Sequence, residues 1–390
     1  MCEKSHEIFG FTHVKMGLDL EICSNKFSLI PKRSNPHWTS YFFEDYMKKT
    51  LIALAALAAF GSASAEVTLY GKLDAGISVK TSDAVGAVNQ GAQIGSGNYE
   101  SSRIGVKGSS EVAPGLKAVF AIEGGLGATD GAFTSFNRKA FLGLTGDFGT
   151  VTAGKQWTPY DLAFNDALEY NGFSAMNGAF YGGFHGDNGN DGSGAAKNAI
   201  QYMTPTMGGF NAVVMYAPNA DATATQGSTN YTGFGVNYAS GPLTVNLATE
   251  KVLTTLHNGV GSATSNAYTT AWILATSYNL GMATLFAAAE SATAESGLGL
   301  SGKDTGYSLG VSIPVSMAVT VGLGYATETN SVSGATASDG KTTSMGVQVV
   351  YALNAATAVY AGYNKGTKTP LGGGADVGTS KFATGVRYNF

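Results

Sequence analysis

The chain has 390 residues, a formal net charge of −4, 54 glycines and only 13% charged residues. Its two cysteines, Cys2 and Cys23, both precede every element read below, which excludes a disulfide framework or a Cys-ligated metal there. No cofactor and no nucleic-acid partner are expected.

The first signal in chain order is Met47-Lys48-Lys49, followed by the apolar run Leu51 to Phe60 and then Ala63-Ser64-Ala65. A positive start, a short apolar core and an A-x-A site make a secretory signal peptide. The run is shorter than the ~20 residues of a spanning helix. Residues 47–65 are therefore read as the signal peptide, with a mature start at Glu66. Residues 1–46 are read as an upstream extension from a start codon assigned too early. From Glu66 onward, 16 Lys and Arg stand against 21 Asp and Glu, and 51 of 325 residues are glycine. Few charges, many small residues and no helical span leave two options: a secreted all-β protein or a closed barrel in an outer membrane.

Period two dominates the rest. Tyr307, Leu309, Val311 and Ile313 alternate with Gly and Ser, Phe234, Val236 and Tyr238 with Gly and Asn, and Met345, Val347, Val349 and Tyr351 with mostly polar residues. Such alternation means half-buried strands. The second face carries Gly, Ser, Thr and Asn rather than charge, which suits an apolar band outside and a polar lumen within. Short turns fall at 111–115, 146–149, 207–209, 240–242, 280–281, 314–316 and 353–355. Longer polar stretches fall at 82–97, 124–133, 157–196, 218–228, 254–265, 291–303, 330–340 and 366–378. Seven turns alternating with eight loops predict sixteen strands, an even count with both termini on the short-turn side. A barrel of that size encloses an aqueous channel rather than a filled core.

Several segments resemble a known family. Val67-Thr68-Leu69-Tyr70-Gly71-Lys72-Leu73-Asp74-Ala75-Gly76 resembles the opening strand of Gram-negative general porins, and Ser102 to Gly108 and Gly115 to Phe120 their next two strands. Phe136 to Leu144 and Phe148 to Gln156 resemble the fourth and fifth. Gly385-Val386-Arg387-Tyr388-Asn389-Phe390 resembles the closing strand, which ends in Phe. The likeness spans 66–390 and is strongest to β-proteobacterial porins. It implies a trimeric, sixteen-stranded outer-membrane barrel that passes small hydrophilic solutes and ions, with its third loop folded into the lumen. It places constriction cations at Arg103, Arg138 and Lys197, where the family more often has Arg at the third site. It also makes Tyr388 and Phe390 the signal for the barrel-assembly machinery.

The residues support opposed charge independently. The stretch 157–197 carries Asp161, Asp166, Glu169, Asp187 and Asp191, with no Lys or Arg before Lys197. An acidic loop facing a basic wall sets a transverse field across the narrowest water; a disordered surface insertion is the bland alternative. Arg103 alternates with Ile104 and Val106, which suit lipid. Arg138 is in phase with Ala140 and out of phase with Phe141, so the same rule sends Arg138 inward and Lys139 outward. A lipid-facing Arg at midplane would cost ~2–4 kcal/mol. Rim cations meeting lipopolysaccharide are the other reading of these positions. Three wall cations against one or two carboxylates would give a weak to moderate anion preference, and against three or more a cation preference; the anion preference is the one expected.

Catalysis is not expected. From Glu66 on the histidines are His185 and His257, both in expected loops, with no Ser–His pair on a strand. A metal site from His185, Asp187 and Asp191 is unspecific. Gly334 to Gly340-Lys341-Thr342 has five residues between its glycines where a phosphate loop needs four. A solute-specific channel, for phosphate or a sugar, and a non-transporting structural or adhesin barrel remain as alternatives. The export reading predicts Glu66 as the N-terminus of the membrane-inserted protein, checked by intact mass. Peptides containing Cys2 or Cys23 in that material would contradict it.

Overall fold

A computed structural model describes residues 66–84, 87, 89–167, 194–218, 228–257, 263–295, 301–333, 340–370 and 373–390. The expected extension 1–46 and signal peptide 47–65 lie outside the described residues, as do Glu169, His185, Asp187 and Asp191. The strands in order are β1 (Glu66–Ser82), β2 (Gln90–Ser96), β3 (Arg103–Ala113), β4 (Leu116–Leu126), β5 (Phe133–Gly146) and β6 (Gly149–Trp157). After helix α1 (Pro159–Ala167) come β7 (Ala195–Met203), β8 (Phe210–Ala217), β9 (Ser228–Ser240), β10 (Leu243–His257) and β11 (Ala263–Asn279). The chain closes with β12 (Thr284–Glu295), β13 (Ser301–Pro314), β14 (Val319–Val332), β15 (Gly340–Ala352), β16 (Thr357–Pro370) and β17 (Val377–Asn389).

From β3 onward each strand pairs antiparallel with the next, and β17 closes on β1. No water in the bilayer can satisfy a free strand edge, so closure is what makes such a sheet viable in lipid. β2 pairs with the upper half of β1 at Ala75–Lys80, and β3 with its lower half at Glu66–Lys72. The two therefore share one strand position, and the ring has the expected sixteen. The expected first loop, 82–97, is shorter than the sequence suggested because β2 occupies its second half. Strands β10 and β11 likewise run on through the expected loop 254–265, pairing as far as His257 and Ala263. Backbone pairing needs no apolar face, so hairpins of Thr, Ser and Asn extend where hydropathy gives no strand signal.

The two faces separate as the alternation predicts. Tyr307 and Leu309 stand outward at 55% and 61% exposure, while Ser308 between them is buried. Leu142, Ile200, Phe234 and Met345 belong to the same apolar outer band. The long connection after β6, read from the sequence as a loop, opens with a two-turn helix. Thr158 caps α1: its Oγ accepts the Asp161 N–H at 3.1 Å, and its carbonyl accepts the Leu162 N–H at 2.9 Å. Pro159 takes the first helical position, where a missing N–H costs nothing. Tyr160, Ala163 and Phe164 form the buried stripe of α1, packed on inner-wall residues Ala248, Ala271, Ile273, Ala275 and Phe286. Small residues on the wall make room for the helix inside the barrel.

The last residue locks the ring. Gly71 and Phe390 exchange both backbone hydrogen bonds, at 2.9 and 3.1 Å. The Phe390 ring covers Gly71 so closely that a Cβ there would strike it, and Tyr388 stacks beside it at 6.3 Å between centroids. Deleting Phe390 removes two ladder bonds and the ring together. Heat-modifiable barrel in outer-membrane fractions is expected to fall severalfold, with aggregate or degradation rising; unchanged yield would contradict this.

Candidate functional site: a charged inner wall

The inner faces of β1, β3, β4 and β5 carry one lateral row: Tyr70, Gly105, Glu123 and Lys139 stand opposite one another. Tyr70 lies across Gly105, whose added Cβ would come within 2.7 Å of the ring. Its hydroxyl therefore reaches over a whole strand and donates to Glu123 at 2.8 Å. One strand on, Arg138 Nε donates to the other Glu123 oxygen at 2.6 Å. Glu123 is only 3% exposed, and two donors at its oxygens are what make such burial tolerable.

Arg138 reaches this position by an irregularity. Between Glu123↔Lys139 and Gly125↔Thr134, β4 advances two residues while β5 advances five. Within the bulge, Asn137 Oδ1 accepts the Gly125 N–H at 2.9 Å in place of a strand partner. Below it, Lys139 and Phe141 face inward, and Leu142 and Leu144 face outward at 64% and 43% exposure. The phase read from sequence was thus inverted: Lys139 is on the inner wall, and Arg138 joins it because the bulge re-aims its side chain. Arg138 and Lys139 both lie over the Trp157 ring, at 4.9 and 6.0 Å.

A second device sits where β1 changes partner. The chain from Gly97 to Ser102, between β2 and β3, turns along the inner wall at the level of Asp74. That carboxylate is fully buried; it accepts the Tyr99 and Glu100 N–H groups at 2.9 and 2.7 Å and the Tyr360 hydroxyl at 2.6 Å. Tyr99 stacks on Tyr360 at 5.1 Å. Glu100 is thereby held between Lys72 and Arg387, with the Arg387 contact at 2.7 Å. Nothing in the local sequence marks Glu100 as a lumen residue; only the shared strand position brings it there.

Of the three expected cations, Arg103 and Arg138 come together. With Tyr70, Lys72, Glu100, Glu123, Lys139 and Trp157 they line a cavity of about 340 Å³. Lys197 does not join them. It lies on β7 beside a shift in the β6–β7 ladder, next to Asn198 with φ 53°, and lines neither this cavity nor the larger one below it. Of the expected loop acids, Asp161 is on α1 and buried, and Asp166 lies near the end of the same helix. Sequence reasoning missed the acids of the facing wall. Half a turn round the ring, β10, β12, β13 and β14 carry Glu250, Glu290, Asp304 and Glu328. Tyr160 of α1 donates to Glu290, and Tyr231 donates to Glu250 at 3.0 Å. Burial and the Glu290 carboxylate push the Tyr160 phenol well above its usual pKa, so it stays a donor. Their signal was strand parity: Glu290 is in phase with the inward Ala288 and Ala292, and Asp304 with Ser308.

This geometry has close counterparts. A family description, Gram-negative porin, matches residues 51–369. Outer membrane porin protein 32 of Delftia acidovorans is 35% identical over 292 residues, covering 72% of this chain and 80% of that protein. Major outer membrane protein P.IB of Neisseria gonorrhoeae is 36% identical over 203 residues, 49% of this chain and 53% of that one. Among solved structures, an anion-selective porin from Comamonas acidovorans superposes with a TM-score of 0.71 at 27% identity. That match covers 84% of this chain and all of that one. A closed sixteen-position barrel with a helix packed inside, and a family match over most of its length, put this chain in the Gram-negative porin family, as a channel of the outer membrane.

Proposed function

We propose that the channel passes small hydrophilic solutes and ions by passive diffusion, without catalysis, and that it prefers anions at the charged wall. One observation carries the preference: around the 340 Å³ cavity stand four cations, Lys72, Arg103, Arg138 and Lys139, and two carboxylates, Glu100 and Glu123. Lys72 and Arg138 reach water at 17% and 18% side-chain exposure, as does Glu100 at 16%, whereas Glu123 is at 3%. Across the lumen, Glu250 and Asp304 are buried, and tyrosine hydroxyls cover Glu250 and Glu290. A permeating ion at this wall therefore meets more positive than negative charge, and the low-dielectric barrel focuses that field. The net −5 of the chain from Glu66 on matters less, because charges in outer segments lie beyond the ~8 Å screening length. The resemblance carries Lys197 as a third lumen cation, a homotrimer in lipopolysaccharide, and Tyr388 and Phe390 as the assembly signal; Asp161, Asp166, Glu169, Asp187 and Asp191 as pore-loop acids rest on the composition of the long connection. The signal peptide at 47–65 fits export through the periplasm. The anion-selective neighbour supports the sign.

Unit charges ~8 Å apart in water interact by ~0.5 kcal/mol, a factor of about two in ion occupancy. Changing Arg103 and Arg138 together to Ser is expected to lower the chloride-to-potassium permeability ratio at least about twofold, read as a reversal-potential shift in a planar bilayer under a KCl gradient. An unchanged reversal potential and conductance would remove both residues from the constriction. The pair Glu290→Gln and Glu328→Gln is expected to shift the reversal potential the other way, toward anions; no shift would mean that the facing wall is fully shielded by α1.

A further inference from the structure

Below the charged row, toward the short-turn end, lies a larger cavity of about 610 Å³, within the range of small-molecule sites. Its chemistry differs from the row above. Val119, Ala121, Phe141, Leu162 of α1 and Met203 give it an apolar floor, where a porin lumen is ordinarily polar. An apolar patch facing water marks a binding surface. Lys107 and Lys139 also line it, with a single carboxylate, Glu66, among its lining residues. Each ammonium rests on an aromatic ring, Lys107 at 5.5 Å from Tyr70 and Lys139 at 6.0 Å from Trp157. Among the described residues neither makes a salt bridge, while Lys72, Arg138 and Arg387 all do; the nearest acid to Lys139 is Glu123, opposite it on β4 and already bonded to Tyr70 and Arg138. Two lysines outside any direct ion pair, an apolar floor and three aromatic rings (Tyr70, Phe141, Trp157) are complementary to one kind of solute.

We propose that this cavity is a subsite for aromatic carboxylates. The carboxylate lies between Lys107 and Lys139, and the ring lies on Phe141 and Leu162. Charge-assisted hydrogen bonds from lysine set the orientation, and ring contact adds to area burial. The site deepens the reading of the protein as an anion-preferring channel and rests on it. Solutes leaving the charged row toward the periplasm pass directly over this floor, so the subsite would retain aromatic acids over acetate-sized anions.

The test is chloride current through the full-length protein in a planar bilayer at low salt, with benzoate titrated on either side. Saturable, reversible reduction of the current by benzoate, with acetate at the same concentration giving none, is the expected result. Lys107→Ser with Lys139→Ser removes both charge-assisted contacts and is expected to raise the half-blocking benzoate concentration more than tenfold, about tenfold per contact. Phe141→Thr leaves every charge in place and is expected to raise it severalfold; it stands as the independent test should the double variant assemble poorly. Ohmic chloride current with no saturable benzoate block overturns the subsite and leaves the channel intact. Equal block by acetate, or block unchanged in Phe141→Thr, also overturns it. Absence of chloride current before any benzoate is added overturns the channel reading and the subsite with it.

Discussion

Everything in this molecule depends on the need to satisfy every backbone N–H and C=O within lipid. A sheet can do so only by closing on itself, and β17 on β1, finished by the mutual Gly71–Phe390 bonds, is that closure. Once the ring is closed, each residue has two choices, lipid or lumen, and neighbours take opposite ones. The apolar band and the polar interior follow from that alternation.

Where alternation is broken, the lumen gains its charged chemistry. The bulge in β5 brings Arg138 and Lys139, consecutive residues, to the same wall. The break between β2 and β3 lays residues 97–102 along the wall and delivers Glu100 to Lys72 and Arg387. The β6–β7 shift next to Asn198 falls beside Lys197. Irregular backbone is tolerable at membrane depth only where it borders water or protein, so these breaks concentrate on the lumen side of the site. Asp74 shows how one is held: two N–H groups and a tyrosine hydroxyl converge on one buried carboxylate.

The helix in the lumen divides the interior into unlike halves. Alanines at 248, 271, 275, 288, 292 and 326 leave a shallow wall that α1 fills with Tyr160, Ala163 and Phe164. Packing these apolar groups gives the helix an anchor that capping by Thr158 alone would not supply. The same placement sets Tyr160 on Glu290, while Tyr231 of β9 donates to Glu250. Net charge therefore says little about the field a passing ion meets.

Sequence by itself determined the architecture. A strict period of two, turns of fixed spacing, few charges and a terminal Phe specify a sixteen-stranded barrel, because a strand's two faces are encoded locally, residue by residue. Arg103 was legible for the same reason: it opens β3 out of phase with Ile104 and Val106, which suit lipid. Lys139 was not, because Phe141, in phase with it, turns an apolar ring into the lumen, against the rule that apolar residues meet lipid. Glu290 and Asp304 are placed inward by parity, in phase with Ala288, Ala292 and Ser308, but parity does not show that they face the basic wall. The capping pattern Thr158-Pro159-x-Asp161 was present in the chain and marks α1 in hindsight. Only the tertiary structure decided which cations share a cavity, that Glu100 reaches them, and that Lys107 and Lys139 have aromatic rings for neighbours. Those are distances between strands remote in sequence, fixed by register around the ring, and no local pattern carries them.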